Sequence, residues 1–133
     1  LGTSFLFHQE LSIELFFPAI AYGCLCMGVL NVNNIRDLDK DILTNKINLA
    51  AKLGKQGALR YQDFLLGVAL VSFVVHHFLE SEWSLTPLLL VIAGVLHHKK
   101  LSKAETSTDY NAQLKFLSIA SLLVALVFIF KIV

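Results

Sequence analysis

Apolar residues in this chain come in long blocks, and the polar residues gather in short clusters between them. Four blocks stand out, at about residues 11–32, 62–79, 84–98 and 113–133, each bounded by polar or charged positions. Stretches such as LLLVIAGVL and FLSIASLLVALVFIF leave no polar stripe along any side, unlike the surface helices of a water-soluble domain. The pattern predicts an all-α fold, a multi-span transmembrane helical bundle of about four spans. The strictly apolar cores are shorter than the ~20 residues that cross about 30 Å of hydrocarbon, so Glu14, His76, His77 and His97 are expected at interfaces or against other protein. Pro18 and Gly23, inside the first block, read as a packing kink. No internal repeat, low-complexity tract or Pro- or Ser-rich linker divides the chain, so residues 1–133 read as a single membrane domain.

Composition agrees with lipid as the solvent: 56% of the 133 residues are hydrophobic, 16% are charged, and the mean hydropathy is +0.67. A formal net charge of +1 gives no sign of a nucleic-acid partner. The distribution of charge says more. Arg36, Lys40, Lys46, Lys52, Lys55 and Arg60 crowd the first connection, and Lys99, Lys100 and Lys103 the third, which places both on the cytoplasmic side. The connection between them carries Glu80, Glu82 and Trp83 without Lys or Arg and belongs on the opposite side, together with both termini. The N-terminal LGTSFLFHQE has no basic n-region or cleavage site, and a sequence whose first residue is Leu1 is expected to start inside a longer chain.

Cys24 and Cys26, two apart on a helix, point to nearly opposite sides and read as small apolar filler. The pairs His76-His77 and His97-His98 lie near predicted span ends, where they read as interfacial polar anchors, as does His8.

The densest polar cluster is NVNNIRDLDKD at residues 31–41, directly after the first block. If the helix continues for about two turns, Asn34, Asp37 and Asp41 share a narrow arc, Asn33 borders it, and Asp39 points away. Carboxylates and amide oxygens at these spacings are hard donors that suit Mg²⁺ carrying a diphosphate. Arg36, Lys40 and Lys46 would grip the remaining phosphate charge. Spacing alone does not separate this from an exposed helix surface with ordinary i,i+4 pairs.

The stretch NVNNIRDLDKDILTNKINLAAKLG resembles the second aspartate-rich motif of the UbiA superfamily of intramembrane prenyltransferases. It is most similar to the branch that prenylates 1,4-dihydroxy-2-naphthoate, whose pattern reads NNxRDxxxD, a Gly-Lys step, then TLAxxLG. Asn33, Asn34, Arg36, Asp37, Asp41, Lys46, Leu49, Ala50, Leu53 and Gly54 stand where that pattern expects them. Asn45 replaces its Gly and Asn48 its Thr. Gly2-Thr3 and DYNAQL at residues 109–114 also resemble the branch.

The resemblance implies a nine-helix fold of which this chain is the last four spans, the C-terminal part of a prenyltransferase. The implied reaction transfers a polyprenyl group from its diphosphate to 1,4-dihydroxy-2-naphthoate, with decarboxylation, in menaquinone biosynthesis. In that scheme Asp37 and Asp41 bind Mg²⁺, directly or through water, and with Arg36 form the catalytic set. Asn33, Asn34, Arg36, Lys40 and Lys46 contact substrate. The other NDxxD-type motif of the family has no counterpart here, so missing N-terminal helices are implied as a partner, and this half-site alone is expected to be inactive. The implied location is the bacterial inner membrane, with the site on the cytoplasmic side. Three alternatives stay open: another aromatic acceptor such as 4-hydroxybenzoate, a transport segment, and a structural membrane piece.

Overall fold

The computed structural model describes residues 13, 15–80 and 85–132. Five helices follow in chain order: α1 (Phe16–Arg36), α2 (Leu38–Leu43), α3 (Leu49–Glu80), α4 (Thr86–Leu101) and α5 (Ser107–Ile132). No strand occurs among the described residues. Among the described residues, three helices are long and apolar enough to cross a membrane: Phe16–Arg36, Leu49–Glu80 and Ser107–Phe130. Helix α4 has 16 residues, about 24 Å at 1.5 Å per residue. The beginning of the first block, the Trp83 anchor with Glu82, and the readings on Gly2, Thr3, His8 and Glu14 lie outside the described residues.

Helix α1 buries Pro18, Ala21, Leu25, Gly28, Val32 and Ile35, a three- and four-residue rhythm that makes one continuous seam. Gly28 gives room in that seam. A Cβ built there would stand 3.0 Å from Nε2 of Gln62 on α3, so a larger residue would push on the end of that side chain where it meets His97. Gly23 faces open space instead, and Pro18 sits in the first turn of α1, where its missing N–H leaves no helical bond unmade. The packing kink expected from this pair is therefore not what they do.

Two apolar clusters fill the bundle. Val32, Ile35, Leu38, Ala50, Ala58, Leu101, Ala104, Tyr110 and Leu117 form one, at the end that carries α2. Ala21, Leu25, Ala69, Phe73, Leu90 and Val124 form the other, where Tyr22 meets Phe73 edge-on at 5.4 Å. The outer faces stay apolar too: Ile119, Leu122, Leu123 and Ile129 of α5 are 52–58% exposed, an arrangement suited to hydrocarbon and not to water.

A buried polar layer crosses the bundle. Asn31 donates through Nδ2 to the Ala58 carbonyl at 2.9 Å and to Gln62 Oε1 at 3.0 Å. Gln62 Nε2 meets His97 Nε2 at 3.3 Å, and His97 Nδ1 meets Gln113 Oε1 at 3.1 Å. An amide oxygen can only accept, so Nδ1 carries the proton and Nε2 accepts from Gln62, which fixes one neutral tautomer. His97 is fully buried, and its ring stacks on Phe116. The interfacial-anchor reading of His97 is thus corrected: polar partners from α3 and α5 meet it inside the bundle. His98 does point outward, to Asp63 Oδ1 at 2.7 Å.

The connection after α2 shows what replaces the glycine of the motif. Asn45 adopts φ 53, and the amides of Asn45 and Lys46 reach the carbonyls of Ile42 and Asp41 at 3.2 and 2.8 Å. This paired closure of a helix end requires a left-handed residue, and asparagine tolerates it better than other non-glycine residues. Asn45→Gly is expected to leave stability unchanged or slightly raised, whereas Asn45→Val should lower it by about 1–2 kcal/mol. Unfolding of the two variants in detergent checks this.

Candidate functional site

The polar cluster sits where α1 hands over to α2. The backbone ladder runs on almost unbroken, with Asp37 N–H bonded to the Asn33 carbonyl at 3.1 Å and Asp41 N–H to the Asp37 carbonyl at 2.9 Å. Asp37 itself leaves helical geometry, at φ −94 and ψ 7. That break lets neighbouring side chains meet that would diverge on a regular helix. Arg36 Nε donates to Asp37 Oδ1 at 2.9 Å and Nη2 to Oδ2 at 2.8 Å, a two-pronged ion pair. The remaining prong, Nη1, donates to Asn111 Oδ1 on α5 at 2.8 Å. Hydrogen bonds from Arg36 hold the Asp37 carboxyl below the usual carboxylate range; partial burial opposes this, while the charges of Arg36, Lys40 and Lys46 reinforce it.

Asp41 is the more enclosed carboxylate, with 7% of its side chain exposed. Lys46 Nζ lies 3.3 Å from both of its oxygens, and Asn48 Nδ2 donates to Oδ2 at 2.6 Å. Asn48 also caps α3, since its Oδ1 accepts the Ala51 N–H at 2.8 Å. The residue that departs from the motif's threonine therefore does the capping and orients the acid as well. Beyond the cap, Gly54 takes φ 67 and ψ 170, a conformation open essentially to glycine alone, which turns the first turn of α3 into the long run of the helix.

Asn33 and Asn34 lie half-buried on the last turn of α1, while Lys40 and Asp39 are exposed on α2. The segment thus carries three carboxylates, Asp37, Asp39 and Asp41, against Arg36, Lys40 and Lys46. It gathers Arg36 with Asp37, and Lys46 with Asp41, into two adjoining pairs. Asn111 and Asn48 join these pairs although neither was read as a site residue. Asn48 was visible as a motif departure; Asn111 lies in the DYNAQL stretch that also resembles the branch, but nothing in the sequence joined it to Arg36, 75 positions away.

The donor set fits Mg²⁺ as part of a shared site. Asp37 and Asp41 offer carboxylate oxygens and Asn33 and Asn34 amide oxygens, all hard donors. Among the described residues no group of three or more His, Cys, Asp and Glu converges. A cation here would therefore take its other ligands from water, phosphate or another segment, as Mg²⁺ commonly does.

The UbiA prenyltransferase family matches residues 1–130. A 1,4-dihydroxy-2-naphthoate octaprenyltransferase of Haemophilus influenzae is 36% identical over 73 residues, covering 55% of this chain and 24% of that protein. Proteins of the same name from Escherichia coli and Mycobacterium tuberculosis are 36% and 35% identical over 85 and 82 residues, covering 62% and 57% of this chain and 28% and 27% of theirs. The chain spans about a quarter of the length of these curated relatives. No solved structure matches.

Proposed function

The chain belongs to the UbiA prenyltransferase family, and on that premise we propose that it supplies one acidic half-site of an enzyme that transfers a polyprenyl group from its diphosphate to 1,4-dihydroxy-2-naphthoate, with loss of the carboxyl group, as in menaquinone biosynthesis. One observation carries the reading: Asp37 and Asp41, one helical turn apart at the end of a membrane helix, are each held by a cation from the chain itself, Arg36 on Asp37 and Lys46 on Asp41, with the Asn48 amide also donating to Asp41. The names of the three relatives support the acceptor.

In this reading Asp37 and Asp41 bind Mg²⁺ with the polar side chains of Asn33 and Asn34 beside them. The metal supplies charge stabilisation of the departing diphosphate when bound. Arg36 and Lys46 turn part of their hydrogen bonding from Asp37 and Asp41 toward the phosphate oxygens, and Lys40, already exposed, adds a third cation. The apolar bundle keeps water from the allylic cation so that the aromatic acceptor captures it. The remaining donors, including a further aspartate motif, come from helices outside these 133 residues. The segment of 84–98 crosses as a short fourth span, and the site faces the cytoplasm of a bacterial inner membrane, on the side of the Lys- and Arg-rich connections.

The test is an assay of membranes containing the full polypeptide that carries this sequence, with a polyprenyl diphosphate, Mg²⁺, and either 1,4-dihydroxy-2-naphthoate or 4-hydroxybenzoate. Mg²⁺-dependent product from the naphthoate is the expected result. Product from the benzoate alone would move the acceptor, and no product from either would return the transport and structural readings.

A further inference from the structure

Arg36 has one partner that the proposed roles leave unused. Asn111, on the exposed side of the second turn of α5, accepts from Arg36 Nη1 at 2.8 Å through Oδ1, while Nε and Nη2 of the same guanidinium go to the two oxygens of Asp37. A guanidinium is a rigid plane with its donors in a fixed fork. Bonds to Asp37 alone leave that plane poorly determined, because the two side chains are sequence neighbours and swing together. The third bond, to a helix on the other side of the chain, fixes the plane.

Asn111 is itself well anchored. Its neighbour Tyr110 is buried and donates its hydroxyl to the Ala104 carbonyl at 2.9 Å. Two residues on, Gln113 is buried against His97. Lys55 of α3 donates to the same Ala104 carbonyl at 3.2 Å and lies 5.8 Å over the Tyr110 ring. The first turns of α5 are therefore tied to α3 and α4, and Asn111 presents its oxygen from a fixed backbone. The acceptor is also neutral. An amide oxygen orients Arg36 without adding a second negative charge beside that of Asp37, which a carboxylate in the same place would do.

We infer that Asn111 is a positioning residue for the diphosphate-binding face: it sets the plane of the Arg36 guanidinium and, through it, the Asp37 carboxylate. This rests on the functional reading above. It accounts for the placement of the 109–114 segment beside the acidic motif, a pairing for which neither stretch alone gives a reason.

The experiment is equilibrium binding of a non-reactive prenyl thiodiphosphate, with Mg²⁺, to the full polypeptide in nanodiscs, beside the transfer assay. Asn111→Leu keeps the side-chain size at an exposed position and removes the acceptor. It is expected to weaken binding roughly tenfold, the effect of losing one hydrogen bond to a charged group, with the melting temperature and the acceptor's KM unchanged. Asn111→Gln, which returns an amide oxygen, should recover most of the affinity. Unchanged binding in the leucine variant overturns the inference. So does a loss that comes with a lower melting temperature and that Asn111→Gln fails to repair. An unsubstituted polypeptide that binds the analogue but shows no prenyl transfer from the reactive diphosphate in the transfer assay would defeat the functional reading and leave the role of Asn111 standing on the binding series. One that does not bind would defeat both.

Discussion

Replacing Asp37 or Asp41 by alanine is expected to lower turnover of the full polypeptide by roughly two to three orders of magnitude, as does removal of a group that stabilises charge growing in the transition state. The two positions differ in what else they lose. Asp37 is partly exposed and bonded to Arg36, so its removal frees the arginine without opening the core. Asp41 is enclosed, and its loss takes an acceptor from the half-buried Asn48 while the exposed Lys46 turns to solvent. Asp41→Asn separates the effects, because an asparagine oxygen can still accept from Asn48 while the negative charge is gone. Turnover should fall about as far in the asparagine variant as in the alanine one. Asp39, exposed on α2, supplies the internal control: Asp39→Ala should leave turnover within about twofold, the behaviour of a solvated surface position. Initial rates of prenyl transfer, normalised to folded protein, check all four variants.

The second large effect is on stability. His97→Leu should lower the unfolding free energy by about 2–4 kcal/mol, because it strands Gln62 Nε2 and Gln113 Oε1 in the interior of the bundle. The comparison is its neighbour. His98→Leu breaks a pair with Asp63 in which both side chains are about half exposed, and should cost less than about 1 kcal/mol. Unfolding of both variants in the same detergent gives the answer. Equal losses would mean that the polar layer is not what holds α3, α4 and α5 in register.

The helices themselves were legible, since blocks of apolar residues without a polar stripe leave little choice but membrane helices. Their limits were less so. The stretch AAKLGKQGALRYQD is too polar to read as part of a span, yet it lies in the first part of α3, entered from the Asn48 cap and turned at Gly54, features that hydropathy does not mark. The acidic residues of the candidate site were singled out by their spacing together with the resemblance, and the side chains that bond to them were not singled out as their partners. A regular helix phase separates Arg36 from Asp37, but the irregular backbone at Asp37 brings them together. The polar layer was invisible for a different reason. Asn31, Gln62, His97 and Gln113 lie 16 to 35 positions apart along its bonds, and periodicity within one helix says nothing of which polar residue on another will face it. His97 and His98 look alike as a dipeptide, and only packing decides that one turns inward.

The most direct test of the proposed half-site is Mn²⁺ electron paramagnetic resonance on the full polypeptide in nanodiscs, with manganese in place of magnesium and a non-reactive prenyl thiodiphosphate. A bound-manganese spectrum that appears with the analogue, and is lost in the Asp37→Ala, Asp41→Ala double variant while the protein stays folded, is the expected result. A spectrum that persists unchanged in the folded double variant would contradict the assignment of these carboxylates to the metal.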